Sequence, residues 1–273
     1  MLNSYSAELF KFIKRPAVWV LGALWLALLL AFTELFPYIA YRSAASAPQA
    51  GRLLAPLLPG QLPGHVITGY PVWGGALILV LGALCWGSEY GWGTLKTMLS
   101  HRPGRLTFYV AQVSMLATSI AALVIVAFAL CSLASVVIAG SGGAPLDLPP
   151  ASAIAQAMAA GWLILMMWSL LGVCLAIVFR GMALPIGLGL VWILAIENLI
   201  RFTAPLIDAL GQVEKVMPGA DAGSLVAALG AATSSSTGVA AVVGGEQALW
   251  SVALYTGLFA AVGAVTLLRR DVQ

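Results

Sequence analysis

Six apolar runs, each close to or beyond the length needed to cross a lipid bilayer, constrain this chain more than any other feature of its sequence. They occupy residues 17–36, 70–87, 106–139, 151–179, 182–200 and 248–268. A hydrocarbon core of about 30 Å asks for roughly 20 apolar residues per helix. Because that core has no water to satisfy backbone groups, only helices and closed barrels span it. A barrel would show short segments of alternating polarity, whereas these runs are continuous. With 61% hydrophobic and 8% charged residues, too little polar surface remains to cover a water-soluble domain. The sequence therefore predicts an all-α integral membrane protein, a single transmembrane domain over residues 1–273. The third run is 34 residues long, so it should tilt or project beyond the membrane.

Lysine and arginine set the orientation, because short cytoplasmic loops carry the excess of positive charge. With the N-terminus inside, Lys11, Lys14, Arg15, Lys96, Arg102, Arg105, Arg180, Arg269 and Arg270 are internal, against Arg42, Arg52, Arg201 and Lys215 outside. Both termini are then cytoplasmic. Residues 201–247 form an extracellular segment with short or re-entrant helices. A seventh span over 222–243 is rejected, since it would place the polar residues 233–237 at mid-membrane. The outer loop 40–69 is rich in Pro and Gly and reads as irregular. An A-x-A pattern within 44–47 raises the question of a cleaved signal peptide. The first run is too long for an ordinary signal core, so an uncleaved span is expected.

Two polar stretches interrupt the apolar pattern. Over residues 1–16, Leu2, Tyr5, Leu9, Phe12 and Ile13 recur at helical spacing, while Ser4, Glu8, Lys11 and Arg15 mark the opposite face. This helix should lie along the inner membrane surface, with Pro16 beginning the next one. Between the second and third runs, residues 88–105 predict a short cytoplasmic helix closed by Pro103-Gly104. Leu95, Met98 and Leu99 share one face, and Glu89, Lys96 and Arg102 stay available to water or a partner. Taken alone, both stretches also suit basic anchors that do no more than set topology.

In this combination the sequence resembles the permease subunits of type-2 ABC transporters. The loop between their second and third spans often reads G-x-E-x-x-x-G-T-(L/W)-(K/R), which stands here as Gly87, Glu89, Gly93, Thr94, Leu95 and Lys96, followed by Arg102 and Arg105. Glu8, Lys11 and Arg15-Pro16 are similar to the family's N-terminal elbow helix, and residues 267–272 to its basic tail. The resemblance implies a prokaryotic plasma-membrane subunit that pairs with a second permease copy or a related permease. It also implies two cytoplasmic ATPase subunits, docked on residues 88–105 as a coupling helix. Glu89, Lys96 and Arg102 would supply polar contacts, and Leu95, Met98 and Leu99 apolar ones. ATP and Mg would belong to the partner subunits, and the chain carries no G-x-x-x-x-G-K-(S/T) loop of its own. No cofactor is expected on this chain. The family lines its translocation route with the second and fifth spans, which makes Trp73, Trp86, Trp192, Glu197 and Asn198 candidates. Export follows from the same resemblance, and the mostly apolar spans favour a hydrophobic or amphipathic cargo, such as a small molecule, peptide or lipid-like compound.

Each route candidate also has a plainer reading. Tryptophan favours membrane interfaces, Glu197 suits an i, i+4 ion pair with Arg201, and Glu34 reads as interfacial. Pro185, Gly187 and Gly189 either loosen the fifth span or pack closely. Intramembrane enzyme chemistry finds little support. His65 and His101 fall on opposite sides, H-E-x-x-H is absent, and Cys85, Cys131 and Cys174 read as small core residues. An ion-coupled secondary transporter is the stronger rival and would call for ionisable groups near mid-membrane. A non-transporting membrane anchor for an ATPase is a third reading. Nucleic acid is not expected as a partner, since topology accounts for the net charge of +3.

Overall fold

The structure, a computed structural model, describes residues 2–44, 50–91, 104–144, 146–234 and 237–269. Among these described residues six helices are long and apolar enough to cross a membrane: Pro16–Ser43, Pro59–Gly91, Arg105–Ser141, Ala151–Phe179, Ala183–Leu206 and Gly245–Arg269. They are called the first to sixth spans below. The face of the bundle that carries the N-terminal helix, Leu2–Lys14, is called the near face.

Glycine places the second and fourth spans at the centre. A Cβ at Gly82 would lie 2.2 Å from the Ser169 carbonyl oxygen, and one at Gly172 would lie 2.2 Å from that of Leu79. The two backbones therefore approach closely from both sides, as small residues permit in membrane helix pairs. Trp168 fills the space beside Gly75 and is fully buried. Buried residues make up 78% of the apolar window in the second span and 67% in the fourth, against 17–33% in the rest. The other four spans are thus peripheral and present apolar side chains outward.

Three spans contain π-helical turns, at Ala31–Leu35, Tyr70–Gly74 and Val191–Ile196. Proline accounts for the first two. Pro37 cannot donate to the Thr33 carbonyl, nor Pro71 to that of Ile67, so the regular i→i−4 ladder is interrupted. In the second turn Gly74 N–H reaches back to the Gly69 carbonyl at 2.9 Å. No proline lies within the turn at Val191–Ile196. Arg180 ends the fourth span in the left-handed conformation at φ 54°.

The far face is more ordered than the sequence suggests. The loop read as irregular over 40–69 is helical at Ala50–Leu54 and Leu62–Ile67, joined by the 3₁₀ turns Ala55–Leu57 and Pro59–Gln61. Gly64 explains part of this order, because a Cβ there would come within 2.4 Å of the Ala231 nitrogen in the segment preceding the sixth span. The two far-side segments therefore pack against each other. Between the fifth and sixth spans stand the short helices Asp208–Glu214 and Pro218–Ala228. Every residue from Pro218 to Val226 is buried, so the second of these is an integral cap.

Candidate functional site

At the near face the N-terminal helix is fastened to the end of the second span by buried charge. Arg15, in extended conformation between the N-terminal helix and Pro16, turns its guanidinium back into the bundle. Its Nη2 donates to Glu89 Oε1 at 2.6 Å, and its Nη1 to Ser88 Oγ at 2.9 Å and to the Cys85 carbonyl at 3.2 Å. Lys11 Nζ bridges two carboxylates, at 2.7 Å from Glu8 Oε1 and 3.3 Å from Glu89 Oε1. The same ammonium lies 5.6 Å from the Phe108 ring centroid, within cation–π range. Gln112 adds the third span by donating to the Cys85 carbonyl at 3.1 Å.

Among the described residues the cluster holds two cations and two carboxylates, a balance that lowers the cost of burying charge. Burial pushes the Glu8 carboxyl above the usual carboxylate range, and the hydrogen bond from Lys11 pulls it partly back. Glu89 is only 1% exposed. Rather than remaining available to water or a partner, it is enclosed by the N-terminal helix. The reason is the helix itself, which continues to Gly91 and turns position 89 inward. Gly93, Thr94, Leu95, Lys96, Met98, Leu99, Arg102 and His101 lie outside the described residues.

The candidates on the second and fifth spans separate into distinct environments. Trp86 is fully buried near the near face, with its ring 5.5 Å from those of Phe108 and Tyr109. Trp73 packs toward the first span, at 6.4 Å from Trp25 and 5.9 Å from Phe32. Trp192, Glu197 and Asn198 form a far-side group. Trp192 Nε1 donates to Glu197 Oε1 at 3.0 Å, and so does the backbone N–H of Gly219 at 3.1 Å. Gly219 lies in the first turn of Pro218–Ala228, so Glu197 places a carboxylate on that helix's N-terminus. The expected pairing with Arg201 is not made, since Arg201 Nη1 donates instead to Asn198 Oδ1 at 2.9 Å. Nearby Asp221 is buried, and burial pushes its carboxyl up to about 6 against the pull of the Ser251 hydroxyl.

A further polar pair escaped the sequence reading. Glu34 is 5% exposed rather than interfacial. His65, on the far-side helix Leu62–Ile67, places Nε2 at 2.6 Å from the Thr33 carbonyl and 3.8 Å from Glu34 Oε1. Neither Glu34 oxygen has a hydrogen-bond partner. The sequence signal that points here is Pro37, which frees the Thr33 carbonyl for an outside donor. The three cysteines are buried and unpaired, as expected for small core residues. Among the described residues no group of three potential metal ligands occurs.

No protein-family model matches the chain, and no curated protein matches it.

Proposed function

We propose that this chain is the transmembrane subunit of an ATP-driven transporter of the type-2 ABC class, exporting a hydrophobic or amphipathic cargo. It works with a second permease copy or relative and two cytoplasmic ATPase subunits, which hold ATP and Mg. The observation that carries this reading is the near-face cluster. Glu8, Lys11 and Arg15 on one side and Glu89 on the other belong to the two stretches that resemble the family's elbow and coupling loop, and they meet in one buried ionic joint.

That joint suits a mechanical role. Residues 92–104 connect Gly91 at the end of the second span to Arg105 at the start of the third. A push on this connection reaches both spans directly and reaches the N-terminal helix through Glu89. Packed elements respond as rigid bodies rather than by continuous deformation. Glu89 is therefore a positioning residue in this reading, while Lys96 and Arg102 are the proposed polar contacts to the ATPase. At the far face, Glu197 ties the fifth span to the cap helix Pro218–Ala228, so movement of that span would carry the cap with it.

One observation favours a second reading, an ion-coupled secondary transporter. Glu34 is a buried acid inside a span with an imidazole 3.8 Å away, and intramembrane ionisable groups commonly mark ion pathways.

The test is purification of the tagged protein from its native membrane in mild detergent, with co-purifying chains identified by mass spectrometry. An ATP-binding subunit whose recovery requires residues 92–103 is the expected result. Recovery without any ATPase under several mild conditions overturns the proposal. Proton-dependent transport in liposomes by the isolated chain would then establish the second reading.

A further inference from the structure

Glu34 sits in the π-helical turn of the first span with its side chain 7% exposed and neither carboxyl oxygen held by a hydrogen bond. Among the described residues no lysine or arginine pairs with it, and its one ionic neighbour is His65, with Nε2 at 3.8 Å from Oε1. The third span contributes Cys131, whose thiol lies 3.9 Å from Thr33 Oγ1 and interacts with the Glu34 carboxyl. Tyr70 of the second span interacts with the same thiol, and its own hydroxyl is buried without a partner. An ionised carboxylate enclosed among such groups has little to offset its lost hydration, and a bound proton removes that cost.

The imidazole is arranged to deliver one. Pro37 leaves the Thr33 carbonyl without its regular donor, and His65 Nε2–H takes that place at 2.6 Å. A neutral imidazole carries its hydrogen on one nitrogen and a lone pair on the other, so Nδ1 is the basic nitrogen here. Among the described residues Nδ1 has no hydrogen-bond partner and is not an enclosed atom, and the ring keeps 15% exposure on the far face. One nitrogen therefore meets the far-side solvent and the other faces the buried acid.

We propose that Glu34 binds an exchangeable proton that reaches it from the far face through His65. Nδ1 takes a proton from a far-side hydronium ion, releasing water and making the ring an imidazolium. The Nε2–H bond then breaks as an O–H bond forms at Glu34 Oε1, which leaves a neutral acid and a neutral ring protonated at Nδ1. The separation of 3.8 Å is just beyond the hydrogen-bonding reach of about 2.6–3.2 Å, and a turn of the carboxyl about its broad terminal torsion closes it, since neither oxygen is tied. The Thr33 carbonyl favours a ring with its hydrogen on Nε2, so the ring resets by turning over or by returning the proton along the same path.

A metal cation fits this place poorly. Hard cations take several oxygen ligands. Glu34 offers one carboxylate, the Thr33 carbonyl is taken by His65, and no group of three potential ligands occurs among the described residues. A proton needs a single oxygen. The inference rests on this pair and on neither transport reading, since a proton can be held here whether or not its binding moves a cargo.

Infrared spectroscopy of the full chain in detergent tests it. The stretching band of a protonated carboxyl, isolated by subtracting the Glu34→Gln spectrum, should be present in the unaltered chain and disappear as pH is raised. On transfer from H₂O to D₂O the band should shift, and His65→Gln, which keeps a donor for the Thr33 carbonyl, should slow that shift by about 10²-fold or more. Added imidazole should restore the rate in His65→Ala, a rescue that a merely structural histidine would not give. Absence of a Glu34 band at every pH overturns the proposal, as does an exchange rate that neither His65 variant alters. Loss of the band on adding Na⁺ at constant pH, with choline having no effect, also overturns it and assigns the site to a metal cation. The measurement needs no ATPase and no cargo, so its failure is separate from the failure of either transport reading.

Discussion

His65 donates its Nε2–H to the Thr33 carbonyl at 2.6 Å, at a position where the first span cannot supply an ordinary i→i+4 donor because residue 37 is proline. A carbonyl only accepts, so the hydrogen must be on Nε2. The interaction staples the far-side helix Leu62–Ile67 to a π-helical turn of the first span.

Removing that donor deprives the Thr33 carbonyl of its hydrogen bond from the far-side helix. His65→Ala should lower stability by about 1–3 kcal/mol, and His65→Gln, whose amide also donates, should recover part of the loss. Glu34→Gln is the informative companion, since neither carboxyl oxygen has a hydrogen-bond partner. An unchanged or raised Tm in detergent is expected. A clear drop would mean that the carboxylate is charged and paired with an imidazolium.

Glu89 holds Arg15 at 2.6 Å and shares Lys11 with Glu8, so its loss removes the carboxylate that faces Arg15. Glu89→Gln should cost about 3–5 kcal/mol, as for other buried pairs deprived of one partner. Glu89→Arg should be worse, with the damage visible as reduced yield in the membrane. The reversal Arg15→Glu with Glu89→Arg should restore part of the stability, measured by thermal unfolding of the detergent-solubilised chain. Full stability of Glu89→Gln alone would show that the cluster is not closed in the way described.

A Cβ at Gly219 would fall 1.6 Å from Glu197 Oε2. Gly219→Ala should therefore destabilise by about 1–3 kcal/mol through overpacking, while Glu197→Ala makes room for the methyl. The double variant should be more stable than the sum of the two single effects predicts. Strict additivity in unfolding experiments would separate Glu197 from the helix N-terminus.

Asp221 gives a pH dependence of defined sign. Its folded value of about 6 is above the ordinary value of 3.8, so the folded state holds the proton more tightly than the unfolded chain. Stability should fall as pH rises from about 4 to about 6, and the penalty is then fully present above that window. Asp221→Asn should remove this component and raise Tm at neutral pH, with little change near pH 4. Glu8, also pushed up by burial, contributes with the same sign. The difference curve between the unaltered chain and Asp221→Asn isolates the Asp221 component. A pH-independent difference would rule it out.

The sequence by itself determined the six spans, the amphipathic N-terminal helix and the short helices between the last two spans. These depend on local quantities: the length of an apolar run, its continuity, and a helical period of polar and apolar residues. In the far-side loop, prolines and glycines signal turns locally, while its helices are held by contacts with residues far along the chain, such as that of Gly64 with Ala231. The carboxylates show the same division. Glu34, Glu89 and Glu197 are each visible as an acid beside or within an apolar run, but their partners His65, Arg15 and Gly219 come from other elements. Only the tertiary structure decided which acids are buried and what balances them. In a low-dielectric interior a charge is governed by the few groups within hydrogen-bonding reach, and packing, not sequence order, selects those groups.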